Sequence, residues 1–221
     1  MARPLKIAFL LYPHMTQLDL TGPAQVFAAA GDTRLHFVWK DLNPVLSDAQ
    51  LSLMPTHTFD TCPPCDLLCV PGGPGQQALM QDAAVLAWLR RQGEQALWVT
   101  SVCSGSLLLG AAGLLAGYRA ASHWNYRQHL PLFGALPDDA RVVQDRNRIT
   151  GGGVTAGIDF ALRVVAEIFG NEAAREAQLL LEYAPEPPFA AGRPEQAGPA
   201  TVDRVRQRLE LAVAAFEAQR P

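Results

Sequence analysis

The residue best suited to covalent chemistry is Cys103, which lies in the segment Ser101-Val-Cys103-Ser-Gly105. This small-x-nucleophile-x-small pattern has the form of a nucleophile elbow with cysteine in place of serine, because a tight strand-to-helix turn leaves little room beside the nucleophile. A thiol at a helix N-terminus usually has a lowered pKa. We therefore expect a predominant thiolate at neutral pH. The alternative is that Cys103 is a small apolar residue that closes a strand.

Two further features could act together with this thiol. Asp19 follows the first apolar run and precedes a predicted helix, where it would either cap that helix or stand beside Cys103. A carboxylate next to a thiolate should have a raised pKa and could then donate and accept protons. Gly72 and Gly73 end another apolar run, where they either present bare N–H groups to a developing negative charge or form an ordinary turn. Neither Gly-rich turn, 71–75 or 151–153, matches a phosphate-binding motif.

The remaining cysteines and the histidines offer weaker chemistry. Cys62 and Cys65 have C-x-x-C spacing, but a zinc site needs about four ligands and a second pair is missing. Prolines and Asp66 lead from this pair into a strand, whereas a redox pair should open a helix. We favour a turn with two partly buried free thiols and keep a redox pair as the alternative. His123 could approach the elbow, although a structural role is favoured. We predict no metal site and no cofactor.

The composition excludes several classes of protein. The 221 residues are 49% hydrophobic and 18% charged, so the chain can bury a sizeable core. The net charge is -3 and Lys and Arg are not clustered, so the sequence shows no basic surface of the kind that binds nucleic acid. The apolar stretch 107–118 is too short to span a membrane, and the N-terminus has no signal-peptide pattern. We expect a cytoplasmic protein that binds a small-molecule substrate and neither nucleic acid nor membrane.

Alternating strands and helices must position these residues. Core strands are predicted at 5–11, 35–39, 66–70 and 97–102, with 141–144 and 148–150 pairing later. Helices are predicted at 21–30, 85–91, 106–115, 154–169 and 172–183, and a short hairpin or irregular excursion at 44–59. A Pro/Gly-rich loop (185–199) and a C-terminal helix (about 201–219) complete a single domain over 1–221. This order predicts an α/β fold with a doubly wound, mostly parallel sheet and helices on both faces.

Several segments, taken in their order and spacing, resemble the PfpI-type, class I glutamine-amidotransferase-like superfamily from residue 5 to about residue 183. These segments are Leu18-Asp-Leu-Thr-Gly-Pro23, Pro71-Gly-Gly-Pro-Gly75, Val102-Cys-Ser-Gly105, Ala121-Ser-His-Trp124, Gly151-Gly-Gly-Val-Thr-Ala-Gly-Ile-Asp159 and Tyr183-Ala-Pro-Glu-Pro-Pro-Phe189. The resemblance implies a flavodoxin-like sheet, a homodimer and Cys103 as the nucleophile. It also implies Asp19 as the carboxyl partner, with the N–H groups of Gly72, Gly73 and Ser104 near the reacting atom.

Departures from the pattern narrow the branch. The protease branch carries His directly after the cysteine, where this chain has Ser104, and the amidotransferase branch needs a late His-x-Glu pair that is missing. The chain is most similar to isocyanide (isonitrile) hydratases, which carry Thr after the cysteine, and Ser104 keeps that hydroxyl. This likeness implies a cofactor-independent hydro-lyase that converts R–NC to an N-substituted formamide through a covalent thioimidate on Cys103. Asp19 would then move protons, and Ser104 would orient the water or the carboxyl group.

Three alternatives remain open from the sequence. A redox-sensing or stress-response protein would oxidise Cys103 rather than turn over a substrate. A ligand-binding regulatory module, like those of certain AraC-type regulators, fits the same segments. The sequence after the Pro-rich loop is, however, too short for a pair of helix-turn-helix units. A glyoxal-hydrating or deglycating enzyme would depend more on His123.

Overall fold

The computed structural model describes residues 3–218. Within this range the strands are β1 (Leu5–Leu10), β2 (Thr33–Trp39), β3 (Val45–Leu46), β4 (Ser52–Leu53), β5 (His57–Thr58), β6 (Leu67–Val70), β7 (Trp98–Ser101), β8 (Arg119–Ala120), β9 (Leu136–Pro137), β10 (Val142–Asp145) and β11 (Arg148–Gly151). Seven of these form one sheet in the order β10-β11-β7-β6-β1-β2-β5. Its neighbouring strands are parallel, except that β10 and β11 are antiparallel.

The central strands are buried on both faces, which explains their nearly continuous apolar sequences. All four residues of β6 are buried, and so are the last four of β1. In the register of the sheet, Ile7 of β1 lies between Leu35 of β2 and Leu67 of β6. The order β2-β1-β6-β7-β11 is the flavodoxin-like arrangement, with the reversal of strand order beside β1. The predicted fold class is therefore confirmed.

The helices divide by their mutual contacts into two main groups, as expected for a sheet covered on both faces. In the described part of the chain they are α1 (Gln17–Ala29), α2 (Gln76–Leu79), α3 (Ala83–Gln95), α4 (Gly105–Ala111), α5 (Ala156–Phe169), α6 (Asn171–Leu180), α7 (Pro194–Ala197) and α8 (Pro199–Ala218), with a 3-10 helix at Arg127–Phe133. Helices α1, α5 and α6 contact one another, and α4 contacts α2 and α3. Among residues 3–218, no helix is both long enough and apolar enough to cross a membrane.

Some element boundaries differ from the sequence prediction. Helix α1 begins at Gln17, four residues earlier than predicted, so Pro23 lies inside the helix and Asp19 lies in its first turn. A proline within a helix removes one hydrogen-bond donor, and here the helix continues through it. The loop predicted at 185–199 contains the short helix α7, and α8 begins at Pro199. The predicted end of that helix, Gln219, lies outside the described residues.

The excursion predicted at 44–59 does contain a hairpin, formed by the antiparallel strands β3 and β4. Its final part, β5, joins the edge of the main sheet beside β2. The predicted pairing of 141–144 with 148–150 is confirmed by the antiparallel pair β10 and β11. The small sheet of β8 and β9 was not predicted, because each of these strands has only two residues and gives no periodic pattern.

Three neighbouring parallel strands position the candidate site residues at one edge of the sheet. Strands β7, β6 and β1 are adjacent, and the segments that follow them carry Cys103, Gly72 with Gly73, and Asp19, respectively. Because parallel strands end at the same edge, these segments meet there. This crevice beyond the carboxyl ends of the strands is where open α/β sheets bind ligands.

Candidate active site

Cys103 sits on the predicted strand-to-helix turn, between β7 and α4, with a left-handed backbone conformation (φ 59°). The turn is held by its own backbone: the N–H of Cys103 donates to the carbonyl of Gly152 (2.7 Å), and its carbonyl accepts from the hydroxyl of Ser122 (3.1 Å). Gly105 is required for close packing, because a Cβ there would overlap the carbonyl oxygen of Val70. The predicted elbow geometry is thus confirmed.

Burial acts against a thiolate at Cys103, contrary to the sequence prediction. Its residue is only 6% exposed, and burial raises its pKa well above the ordinary value, with the negative charge of Asp19 adding to this effect. Backbone N–H groups of Ser104 and Val154 act in the opposite direction. The prediction of a predominant thiolate is therefore wrong, because the donors of the elbow do not offset the loss of solvent around sulfur.

Asp19 is completely buried beside this thiol and does not cap its helix. Its Oδ2 accepts a hydrogen bond from the N–H of Gly72 (2.9 Å), whereas its Oδ1 has no partner among residues 3–218 apart from the Cys103 thiol, which is within hydrogen-bonding reach of the carboxyl group. Burial raises the pKa of Asp19 to about 7; the Gly72 N–H and the Cys103 thiol lower it, and Asp48 raises it further. The predicted rise is confirmed, but its main cause is burial rather than a neighbouring like charge. Near neutral pH the carboxyl group exists in both protonation states.

Both glycine N–H groups of the 72–73 turn are already engaged by side chains of the site. Gly72 donates to Asp19, and Gly73 donates to the Oγ of Ser104 (3.1 Å). A Cβ on Gly72 would lie 2.7 Å from Ser104 Oγ and 2.9 Å from Asp19 Oδ2, so no larger residue fits. Since Ser104 Oγ accepts from Gly73, its own proton is available to another group. The structure thus brings Asp19, Gly72, Gly73, Cys103 and Ser104 together.

A cavity of about 620 Å³ adjoins the elbow. Its lining includes Ser122, Gly152 and Val154, each of which makes a hydrogen bond with Cys103, whereas Cys103 and Asp19 themselves do not line it. Its walls come from four segments, namely 122–127, 139–141, 152–156 and 192–196. Sequence reasoning missed these contacts. Ser122 belongs to a segment that carried the family resemblance, but Val154 acts through its backbone, which no side-chain type reveals.

The other thiols lie away from the elbow, and His123 borders the cavity. In the described chain all four cysteines are free and buried, and burial raises the pKa of Cys62 to about 11 and that of Cys65 to about 12. The predicted turn with free thiols is confirmed, although both are more buried than expected. Burial lowers the pKa of His123 to about 4, and its Nδ1 accepts from the N–H of Asn125. No group of three or more His, Cys, Asp or Glu residues within 3–218 is arranged to hold a metal ion.

Fold and site together define the class of protein. The profile of the DJ-1/PfpI family matches residues 5–167, and the chain belongs to that family. Isonitrile hydratase of Pseudomonas putida is 55% identical over 204 residues, which cover 92% of this chain and 90% of that protein. A crystal structure of a ThiJ/PfpI family protein from Pseudomonas syringae superimposes with a TM-score of 0.89 and 49% identity, covering 96% of this chain and 90% of the other.

Regulators share the domain as well. The HTH-type transcriptional regulator GbdR of Pseudomonas aeruginosa is 30% identical over 177 residues. The matched part covers 76% of this chain and 48% of the regulator.

Proposed function

We propose that this protein is a hydro-lyase that adds water to an isocyanide, R–NC, to give the N-substituted formamide R–NH–CHO. The observation that carries the proposal is the 55% identity to an isonitrile hydratase over 92% of the chain. The site supports it chemically, because it pairs a nucleophilic thiol with a carboxyl group whose pKa of about 7 suits proton transfer in both directions.

The first step forms a covalent bond between sulfur and the isocyanide carbon. Because burial raises the pKa of the Cys103 thiol, its proton leaves as the S–C bond forms. The ionised form of Asp19 accepts this proton and delivers it to the same carbon, which gives the thioimidate R–N=CH–S–Cys103. Oδ1 is the oxygen suited to this exchange, since it has no other hydrogen-bond partner within the described residues. The N–H groups of Ser104 and Val154 stabilise the negative charge that develops on sulfur.

The second step is hydrolysis of the thioimidate. Asp19 accepts one proton from a water molecule, whose oxygen adds to the carbon, and passes this proton to the nitrogen, which gives R–NH–CH(OH)–S–Cys103. The C–S bond then breaks, the formamide C=O forms, and the hydroxyl proton returns to sulfur. Ser104 orients the attacking water with its free hydroxyl proton, while Gly73 fixes its oxygen. The net reaction consumes one water and requires no cofactor.

The substituent R would lie in the adjoining cavity. Its volume of about 620 Å³ is within the usual range for sites that hold small organic ligands. The reacting carbon would approach sulfur past the turn at Gly152 and Val154, which contact both the cavity and Cys103. A cavity of this size accommodates substituents well beyond methyl.

A redox sensor at Cys103 would produce no formamide, so the assay below also separates redox sensing from turnover. The regulator GbdR shares the domain over about half of its own length, and this similarity alone does not distinguish a binding module from an enzyme.

A direct assay tests the proposed function. Purified protein incubated with cyclohexyl, benzyl or methyl isocyanide should remove the isocyanide infrared band and produce the matching formamide in equal amount. Reaction in H₂¹⁸O should place ¹⁸O in the formamide. Rapid acid quench and intact-protein mass spectrometry should show a Cys103 adduct with the full mass of the isocyanide, and Cys103→Ala should show none. Absence of formamide with all three substrates would contradict the proposal.

A further inference from the structure

A buried tyrosine lies behind the site and has no role in the scheme above. Tyr12 follows β1 and is completely buried, and its hydroxyl donates a hydrogen bond to the carbonyl of Pro71 (3.0 Å). Burial raises the pKa of this hydroxyl well above its ordinary value, and negative charge on Asp19 or on Cys103 raises it further, so the hydroxyl lies within electrostatic reach of both groups. The hydroxyl is therefore close to the reacting groups without being directly bonded to either.

The Tyr12 hydroxyl and the Asp19 carboxyl bind opposite sides of a single peptide group. The peptide between Pro71 and Gly72 receives the tyrosine hydroxyl on its carbonyl, and its N–H donates to Asp19 Oδ2 at 2.9 Å. The next peptide repeats the arrangement: the carbonyl of Gly72 accepts from the N–H of Thr16 (2.9 Å), and the N–H of Gly73 donates to the site. Two successive peptides thus connect the segment after β1 to the side chains that handle protons.

A peptide held in this way is a better donor. A hydrogen bond to a carbonyl polarises the whole amide, which strengthens the hydrogen bond that its N–H makes. It also fixes the rotation of the peptide plane, and hence the direction in which the N–H points. The Pro71 carbonyl has a defined position against the elbow as well, because a Cβ on Gly105 would lie 2.7 Å from its oxygen. Displacement of this peptide would therefore disturb the carboxyl group and the elbow together.

We propose that Tyr12 is a positioning residue of the active site. Through the Pro71–Gly72 peptide it holds the N–H of Gly72 on Asp19 and favours the ionised carboxylate that accepts the thiol proton. Cys103 and Asp48 act on this carboxyl, the buried thiol of Cys69 is within electrostatic reach of it, and all three are unchanged by a substitution at residue 12. The kinetic test of this inference rests on the proposed function. The titration test does not, because it needs no substrate.

The test replaces only the hydroxyl, with Tyr12→Phe. Without it, the ionised carboxylate loses support, so we expect the midpoint of Asp19 titration to rise by about 0.5–1 pH unit. The readout without substrate is the rate at which iodoacetamide alkylates Cys103, measured by mass spectrometry over a range of pH. The inflection of this pH profile near pH 7 reports the titration of Asp19. With isocyanide, kcat at pH 6.5 should fall about 3- to 10-fold, and KM should change less than twofold.

The matched control is Thr100→Val. This buried threonine on β7 also donates its hydroxyl to a main-chain carbonyl, that of Leu68 (2.8 Å), and it hydrogen-bonds the thiol of Cys69, so its loss removes at least as much buried hydrogen bonding. We expect the control to leave the inflection in place. Should Tyr12→Phe fail to fold, site-specific 3-fluorotyrosine at residue 12 keeps the shape and makes the hydroxyl a stronger donor, so the inflection should move downward.

An unmoved alkylation inflection in Tyr12→Phe, or an equal movement in Thr100→Val, would overturn the role of Tyr12. An unmoved inflection with 3-fluorotyrosine would do the same. Absence of formamide in the wild-type protein would instead contradict the proposed function, and the alkylation profiles would still decide the role of Tyr12.

Discussion

Replacing Asp19 with asparagine should make the protein more stable at alkaline pH and nearly inactive. Asparagine keeps the size of the side chain, and its amide oxygen can accept the hydrogen bond from Gly72 that Asp19 Oδ2 now accepts. What it loses is a proton-exchanging carboxyl group that is fully buried. The variant therefore separates proton transfer from positioning.

The stability effect follows from the raised pKa of Asp19. The pKa rises from 3.8 to about 7 on folding, a shift worth about 4 kcal/mol against the ionised form. Below about pH 4 the protonated carboxyl group makes its full contribution to the free energy of unfolding, and this contribution is lost as the pH rises through 7. Asparagine has no such pH dependence. Relative to wild type, the variant should gain about 2–3 kcal/mol of stability between pH 5 and pH 8. The buried amide costs a pH-independent 1–3 kcal/mol, on the order of one unsatisfied polar group.

Urea unfolding of both proteins at pH 5 and pH 8, followed by tryptophan fluorescence, measures this difference. The rate of cyclohexyl isocyanide hydration tests the role of Asp19 in proton transfer, because loss of a general acid–base group should lower kcat roughly 10²- to 10⁴-fold. The same difference in stability at both pH values would refute the raised pKa of Asp19. If the variant turned over substrate at the wild-type rate, Asp19 would have no role in proton transfer.

Three further predictions concern the nucleophile, the elbow and the assembly. Cys103→Ala should abolish hydration, whereas separate replacement of each of the other cysteines should change kcat less than about fivefold, because only Cys103 lies on the strand-to-helix elbow; loss of activity on replacement of Cys62 or Cys65 would revive a redox pair. Gly105→Ala should lower the free energy of unfolding by more than about 2 kcal/mol, because the added Cβ overlaps the Val70 carbonyl. Gly192→Ala, where a Cβ meets no atom within 4 Å among the described residues, should cost little, and equal denaturation midpoints for the two variants would contradict this reasoning. Sedimentation at micromolar concentration should give a homodimer, twice the monomer mass of 23.9 kDa, and a monomer would contradict the family expectation.

The convergence of Asp19, Gly72 and Cys103 was predictable from the sequence. Each follows its own apolar run, and the neighbouring strands of a parallel sheet end at one edge. The small residues around Cys103 also predicted the elbow. These inferences succeed because they depend on local sequence and on a general property of the fold.

The electrostatic state of the site was not predictable in the same way. The start of α4 suggested a thiolate at Cys103, but its ionisation depends on how deeply the sulfur is buried, which is set by residues distant in sequence. Likewise, the side chains that occupy the N–H groups of Gly72 and Gly73 lie 53 and 31 residues away along the chain. The start of α1 was misplaced because Pro23 resembles a first-turn proline, although it lies inside the helix.

The left-handed backbone conformation at Cys103 lowers the stability of the fold at the same residue that carries the reactive thiol. A residue with a side chain adopts this conformation at a cost of roughly 1–2 kcal/mol, whereas glycine adopts it freely. Cys103→Gly would relieve that strain even as it removes the thiol. A search for stabilised variants that scored only thermal resistance would not detect the role of this residue, and would need an activity screen at this one position to keep the nucleophile.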